Sequence, residues 1–136
     1  MPGIATAVQT VSAAFVAASY ILLAQRYPDL PNRIPIHFGF RGRVDGWGGK
    51  AFLWMCPAFS LAFAVGIIAP LHLGPLASAP PVAPYTLLGA QAMMFSLEVG
   101  WIRIAAGERS NIWPYVGPFL LILPIVSIVA SRLPPL

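Results

Sequence analysis

The chain of 136 residues offers few side chains able to do chemistry: two histidines, one cysteine, four carboxylates and eight cations. His37 is the first to consider, because imidazole ligates metals and titrates near neutral pH. Its candidate co-ligands are Asp29, Asp45, His72, Cys56 and the two glutamates, and none stands at a recognised metal-ligand spacing. Asp45 lies eight residues away and comes within reach only where the chain folds back. Three readings are open: a structural imidazole hydrogen-bonded to loop backbone or to Asp45, a ligand- or proton-handling group, and a metal ligand. The first is favoured, because buried imidazoles usually find a partner. No serine–histidine nucleophile elbow, phosphate loop or HExxH stretch occurs. We therefore assign no catalytic residue and expect no enzyme, cofactor or metal centre. Cys56 alone permits neither an internal disulfide nor a cysteine metal cluster.

Glu98 is the second candidate, since it interrupts an apolar run and an ionisable group inside a membrane span is costly. Gln91, Met94, Glu98, Trp101 and Ala105 recur at steps of three and four residues and so share one helical face. That face should point into a bundle or toward a partner. Arg103 stands five residues beyond Glu98, about 140° around the helix, and is not placed to pair with it. Arg103 is expected to snorkel instead. For Glu98 the readings are a neutral or hydrogen-bonded register pin, using Gln91 or a hydroxyl such as Ser60; a proton, ion or ligand path; and a polar contact with another subunit.

The elements that position these groups follow from composition. Only 9% of residues are charged, 58% are hydrophobic and the mean hydropathy is +0.78, whereas an ordinary soluble domain is about a quarter charged. These values exclude a disordered regulator and a solvated nucleic-acid binder and predict an integral membrane protein. Four windows are long and apolar enough for the roughly 20 residues that a span requires: residues 4–25, 51–73, 85–106 and 112–131. The first lacks a basic leader and exceeds the apolar core of a signal peptide, so it is read as an uncleaved span. The predicted fold is a single all-α membrane domain over 1–136, a four-helix bundle with an ordered Pro/Gly-rich loop at 26–50.

Prolines punctuate the chain: Pro28, Pro31 and Pro35 end the first span, and Pro75, Pro80, Pro81 and Pro84 separate the second from the third. Pro57, Pro114, Pro118 and Pro124 lie within or beside spans, which favours packed helices that satisfy the freed backbone groups. Ala13, Ala14, Ala17, Ala18 and Gly66 are small enough for close helix contact, though small lipid-facing residues are as common.

Charge is concentrated in the first loop, where Arg26, Asp29, Arg33, Arg41, Arg43, Asp45 and Lys50 fall within 25 residues. Arg109 marks the loop at 107–111, and the second loop has no basic residue. The positive-inside rule therefore predicts cytoplasmic loops at 26–50 and 107–111 with both termini outside. Arg33, Arg41, Arg43 and Lys50 also make lipid phosphates natural neighbours. Asp29 and Asp45 reduce the loop to a net +3, which reads as ordinary topology bias. Nucleic acid is not an expected partner, since the cations lie on no recognised reading helix.

Within the loop, Ile34, Ile36, Phe38 and Phe40 alternate with Pro35, His37, Gly39 and Arg41, the period of an extended segment with one apolar face. Gly42, Asp45-Gly46 and Gly48-Gly49 supply turn chemistry. Trp47 suits the headgroup region, and Lys50 is placed to snorkel there. Together these predict a compact re-entrant or interface-lying cap over the bundle.

The combination Leu30-Pro31, Ile34-Pro35, His37-Phe38, Gly42, Asp45-Gly46-Trp47 and Lys50 resembles the loop signature of a bacterial membrane domain of unknown function, found alone and in the N-terminal part of SdpI-type immunity proteins. The resemblance reaches over roughly the first 75 positions. It implies a multipass bacterial membrane protein and, in SdpI-type members, self-protection against a membrane-active peptide and a role in signalling. Three function classes follow. The first is an SdpI-like binding, immunity or signalling module recognising a hydrophobic peptide through the loop residues Pro31, Ile34, Pro35, His37, Phe38, Gly42, Asp45, Gly46, Trp47 and Lys50, together with the Gln91, Glu98 and Arg103 helix. The second is a small structural subunit packed against other membrane-protein subunits. The third, weakened by the small size of the chain, is a proton or ion transporter built around Glu98.

Overall fold

The computed structural model describes residues 2–72 and 82–133. Helix α1 (Pro2–Arg26) leads through a 3-10 turn (Tyr27–Asp29) into strands β1 (Arg33–Phe38) and β2 (Val44–Gly49). A second 3-10 turn (Lys50–Trp54) opens α2 (Met55–His72), followed by α3 (Val82–Ala105) and α4 (Trp113–Ala130). The stretches Gly3–Asp29, Lys50–Pro70 and Trp113–Ala130 are long and apolar enough to cross a membrane. The chain is accordingly membrane-embedded. Helix α3, which carries Thr86, Gln91, Ser96, Glu98 and Arg103, is not among those three stretches, although its 24 residues extend about 36 Å.

Two expectations need correction. The fold is not all-α, because the expected loop contains a two-stranded antiparallel sheet. The element bounds also shift: α2 starts at Met55, since Lys50–Trp54 coil more tightly, and α3 begins at Val82 with Pro84 in its first turn, where a missing backbone N–H costs nothing. Pro75, Pro80 and Pro81 lie outside the described residues.

Helix α3 is the centre of the bundle and touches α1, α2 and α4. Ser12 pairs with Gln91 and Ser19 with Glu98, both across 79 positions, so α1 and α3 run parallel with matched two-turn spacing. The same offset sets Val82 level with Gly3. Close approach of α3 and α4 depends on glycine. A Cβ at Gly100 would stand 2.4 Å from the Tyr115 ring, and one at Gly89 would stand 2.7 Å from Leu123. Gly66 lies similarly against Leu87 of α3, as its size suggested, but Ala13, Ala14 and Ala17 face outward.

The interior combines an apolar core with five buried polar residues, Ser12, Ser19, Ser60, Gln91 and Glu98, while Leu121, Ile125 and Ile128 of α4 are 74%, 59% and 61% exposed. This distribution suits hydrocarbon as solvent, where apolar burial drives little helix association and close packing with hydrogen bonds holds the bundle.

Candidate functional site

The loop end of the bundle is a folded cap. Its hairpin pairs Arg33 with Gly49, Ile34 with Gly48 and Pro35 with Trp47, then shifts register around His37 before Phe38 meets Val44. Gly46 and Gly48 are strand residues rather than turn residues. A Cβ at Gly46 would stand 2.9 Å from His37 Cβ, and one at Gly48 would stand 2.7 Å from Ile36 Cδ1. Their role is to give the side chains of β1 room. Within the loop only Gly42 has a positive φ, +74°, closing the turn in which Gly39 N donates to Arg43 O at 2.8 Å.

The hairpin is clamped from two sides. Beneath it, Ile34 and Leu30 join Leu23, Leu53, Cys56, Trp101 and Ile102 in the buried core. Trp101 Nε1 donates to Pro35 O, and Phe38 and Phe52 meet the Trp101 ring edge-on. At its tip, Trp113 Nε1 donates to Phe40 O at 2.8 Å, Asn111 Nδ2 to Arg41 O at 3.0 Å and Ile112 N to Gly42 O at 3.1 Å. The loop after α3 and the first turn of α4 therefore hold the tip in place.

The expected loop residues divide into support and display. Ile34, Pro35 and Gly42 are buried, Phe38 is half-buried, and Pro31 is exposed. Lys50 does not snorkel into open headgroup space. Its ammonium donates to Tyr27 O and Leu30 O at 3.0 and 3.2 Å and lies 4.5 Å from the Tyr27 ring centroid, closing the turn after α1. His37 Nδ1 pairs with Asp45 Oδ1, one of the two structural partners expected, but the imidazole is exposed rather than buried. Trp47 is 58% exposed, and Phe40 is 93% exposed. Phe40 departs from the alternating pattern because the strand ends at Phe38 and the Gly39–Arg43 turn swings its side chain away from the core.

The second expected site is a buried polar seam among α1, α2 and α3. The Gln91 amide accepts from Ser12 Oγ at 2.8 Å and donates to Ser12 O, Ser60 O and Ser60 Oγ at 3.0 to 3.1 Å. Glu98 is fully buried and accepts from Ser19 Oγ through Oε2, while its Oε1 has no hydrogen-bond partner. Its partner is thus Ser19, neither Gln91 nor Ser60. Arg103 turns away as helix geometry requires, donating to Glu108 at 3.2 Å and to the Tyr115 hydroxyl at 3.2 Å. Glu108 also receives Arg26 at 3.1 Å, joining the ends of α1 and α3. At the opposite end Gln9 bonds His72 at 3.1 Å. The seam and cap do not form one pocket: Trp101 and the buried core lie between Glu98 and the exposed His37.

Asn111, Trp113, Ser12 and Ser19 are the contributors not assigned from sequence. The serines carried a readable signal, since their seven-residue spacing repeats that of Gln91 and Glu98. Among the described residues, no three histidine, cysteine, aspartate or glutamate side chains converge as a metal site.

No curated protein and no solved structure matches the chain. Residues 14–61, from the middle of α1 through the hairpin to the first turns of α2, match the family described as a domain of unknown function (DUF1648).

Proposed function

We propose that the chain is a non-enzymatic, four-span membrane module whose hairpin cap recognises a hydrophobic peptide, as the recognition step of SdpI-like immunity or signalling. Phe40 is the observation that carries this reading. The residue is 93% exposed, yet its own carbonyl is held by Trp113 at 2.8 Å. An aromatic group presented on a fixed backbone binds with little further ordering cost, the property of an interface anchor.

Helix α3 serves as the fourth span in this reading. It parallels α1, and the Arg43–Asn111 bridge and the Arg26–Glu108 contact, which join residues of the loops at 26–50 and 107–111, support a shared side for these two loops. With the positive-inside bias, that side is cytoplasmic and the termini are outside.

The test is protection. Cells expressing the chain should survive a membrane-active peptide, drawn from a panel of bacterial examples, that kills cells lacking it. Phe40→Ala should remove protection with the membrane level of the protein unchanged. Equal killing with and without the wild-type chain across the panel would overturn the proposal.

A second reading rests on α4, whose outward apolar face suits either lipid or a neighbouring subunit of a larger complex. Comigration with such a complex in fixed stoichiometry after mild-detergent extraction would favour it. A lone monomer or homodimer would oppose it.

A further inference from the structure

Of the cations near the cap, Arg26 and Arg103 share Glu108, and Lys50 is engaged by two backbone carbonyls. The side chains of Arg33, Arg41, Arg43 and Arg109 are not engaged in this way, and of these four Arg43 and Arg109 share a cleft. Neither has a carboxylate or carbonyl partner among the described residues, and both line one cleft of about 460 Å³ between the hairpin and the loop after α3. Ser110 adds a hydroxyl, and Trp47, Pro35 and Ile104 supply the apolar wall.

The two arginines come from segments 66 positions apart, and the fold sets both in the wall of this cleft. Arg43 is bridged to Asn111, two residues beyond Arg109, and the hydrogen bond from Ile112 N to Gly42 O fixes the same junction. Two cations that line one cleft with no carboxylate in its wall suit an anion. Guanidinium forks match the oxygens of phosphate in particular, and a hydroxyl donor beside them completes a polar cradle. The apolar wall meets the needs of the carbon skeleton attached to that phosphate.

We propose that the Arg43–Arg109 cleft binds a phosphate group, supplied by an anionic phospholipid headgroup or by a soluble phosphate ester. Arg33 and Arg41 do not line this cleft and serve as internal controls. At about 1 kcal/mol per cation near an anionic surface, loss of both arginines corresponds to about thirtyfold weaker binding.

The experiment uses the full chain in detergent, with native mass spectrometry for phosphatidylglycerol against phosphatidylcholine and thermal shifts for glycerol phosphate. Preferential retention of phosphatidylglycerol, reduced about thirtyfold in Arg43→Gln/Arg109→Gln and retained in Arg33→Gln/Arg41→Gln, supports the site with a lipid source. A glycerol phosphate shift with the same dependence supports it with a soluble source. Absence of both effects, or equal loss in the two double variants, overturns it. Folding of each variant is checked by its melting in detergent without ligand; if the first double variant fails to fold, Arg109→Gln alone must still lose several-fold affinity.

Discussion

Replacing Gly42 by alanine separates the contribution of the cap's docking from that of its local backbone. Gly42 and Gly107 both have positive φ, +74° and +79°. A side chain in that conformation costs about 1–2 kcal/mol wherever it occurs. Around Gly107 a Cβ meets nothing within 4 Å, whereas at Gly42 it would stand 2.3 Å from Trp113 Cδ1 and 2.4 Å from Asn111 Oδ1. Neither neighbour can yield without disturbing the bonds to Phe40 O and Arg41 O, each worth about 0.5–1.5 kcal/mol net. Gly107→Ala should therefore cost about 1 kcal/mol and Gly42→Ala about 3 kcal/mol. Gly49→Ala, with open space and ordinary φ, should be near neutral. Hydrogen exchange at the Ile112 amide, which donates to Gly42 O, reads the docking directly. Its exchange should accelerate about a hundredfold in Gly42→Ala, since each 1.4 kcal/mol is tenfold, and little in the other two. Equal acceleration in Gly42→Ala and Gly107→Ala would refute a sterically tight junction between hairpin and α4.

Other consequences concern the bundle and its orientation. Gln91→Leu should destabilise the bundle by about 1–2 kcal/mol in a denaturing-detergent titration, the scale of interhelical hydrogen bonds in membranes; an unchanged midpoint would remove the Ser12–Gln91–Ser60 node as a structural pin. Gly100→Ala should lower stability by about 1–3 kcal/mol by forcing a Cβ into the Tyr115 ring, and Gly3→Ala, in open space, is its control. Phe40→Cys should react with a membrane-impermeant maleimide in inverted vesicles and not in intact cells, while buried Cys56 stays unlabelled in both. Labelling in intact cells would reverse the topology.

Hydropathy locates the helices, because the demand for an apolar run of membrane length is local, but not their ends: Lys50–Trp54 coil as a 3-10 turn before α2, and α3 begins at Val82. The period of Ile34, Ile36 and Phe38 likewise foretold an extended segment. Its partner was hidden: the glycines of β2 read as turns, and their actual role is defined by His37 and Ile36 across the hairpin. The Gln91–Glu98 face was visible from helical spacing, but which hydroxyl met which polar group depended on the parallel register of α1 and α3. Phe40 was misplaced for a related reason. Its exposure depends on where the strand stops, and that point is set by Asn111 and Trp113, some 70 positions away.

The central claim is that the clamped cap presents Phe40 as a recognition group. The most direct measurement is the affinity of the full chain in lipid nanodiscs for a peptide against which it protects cells, with wild type compared to Phe40→Ala. Loss of a central aromatic anchor typically removes 2 kcal/mol or more, so binding should weaken at least about thirtyfold. An unchanged affinity would contradict the claim.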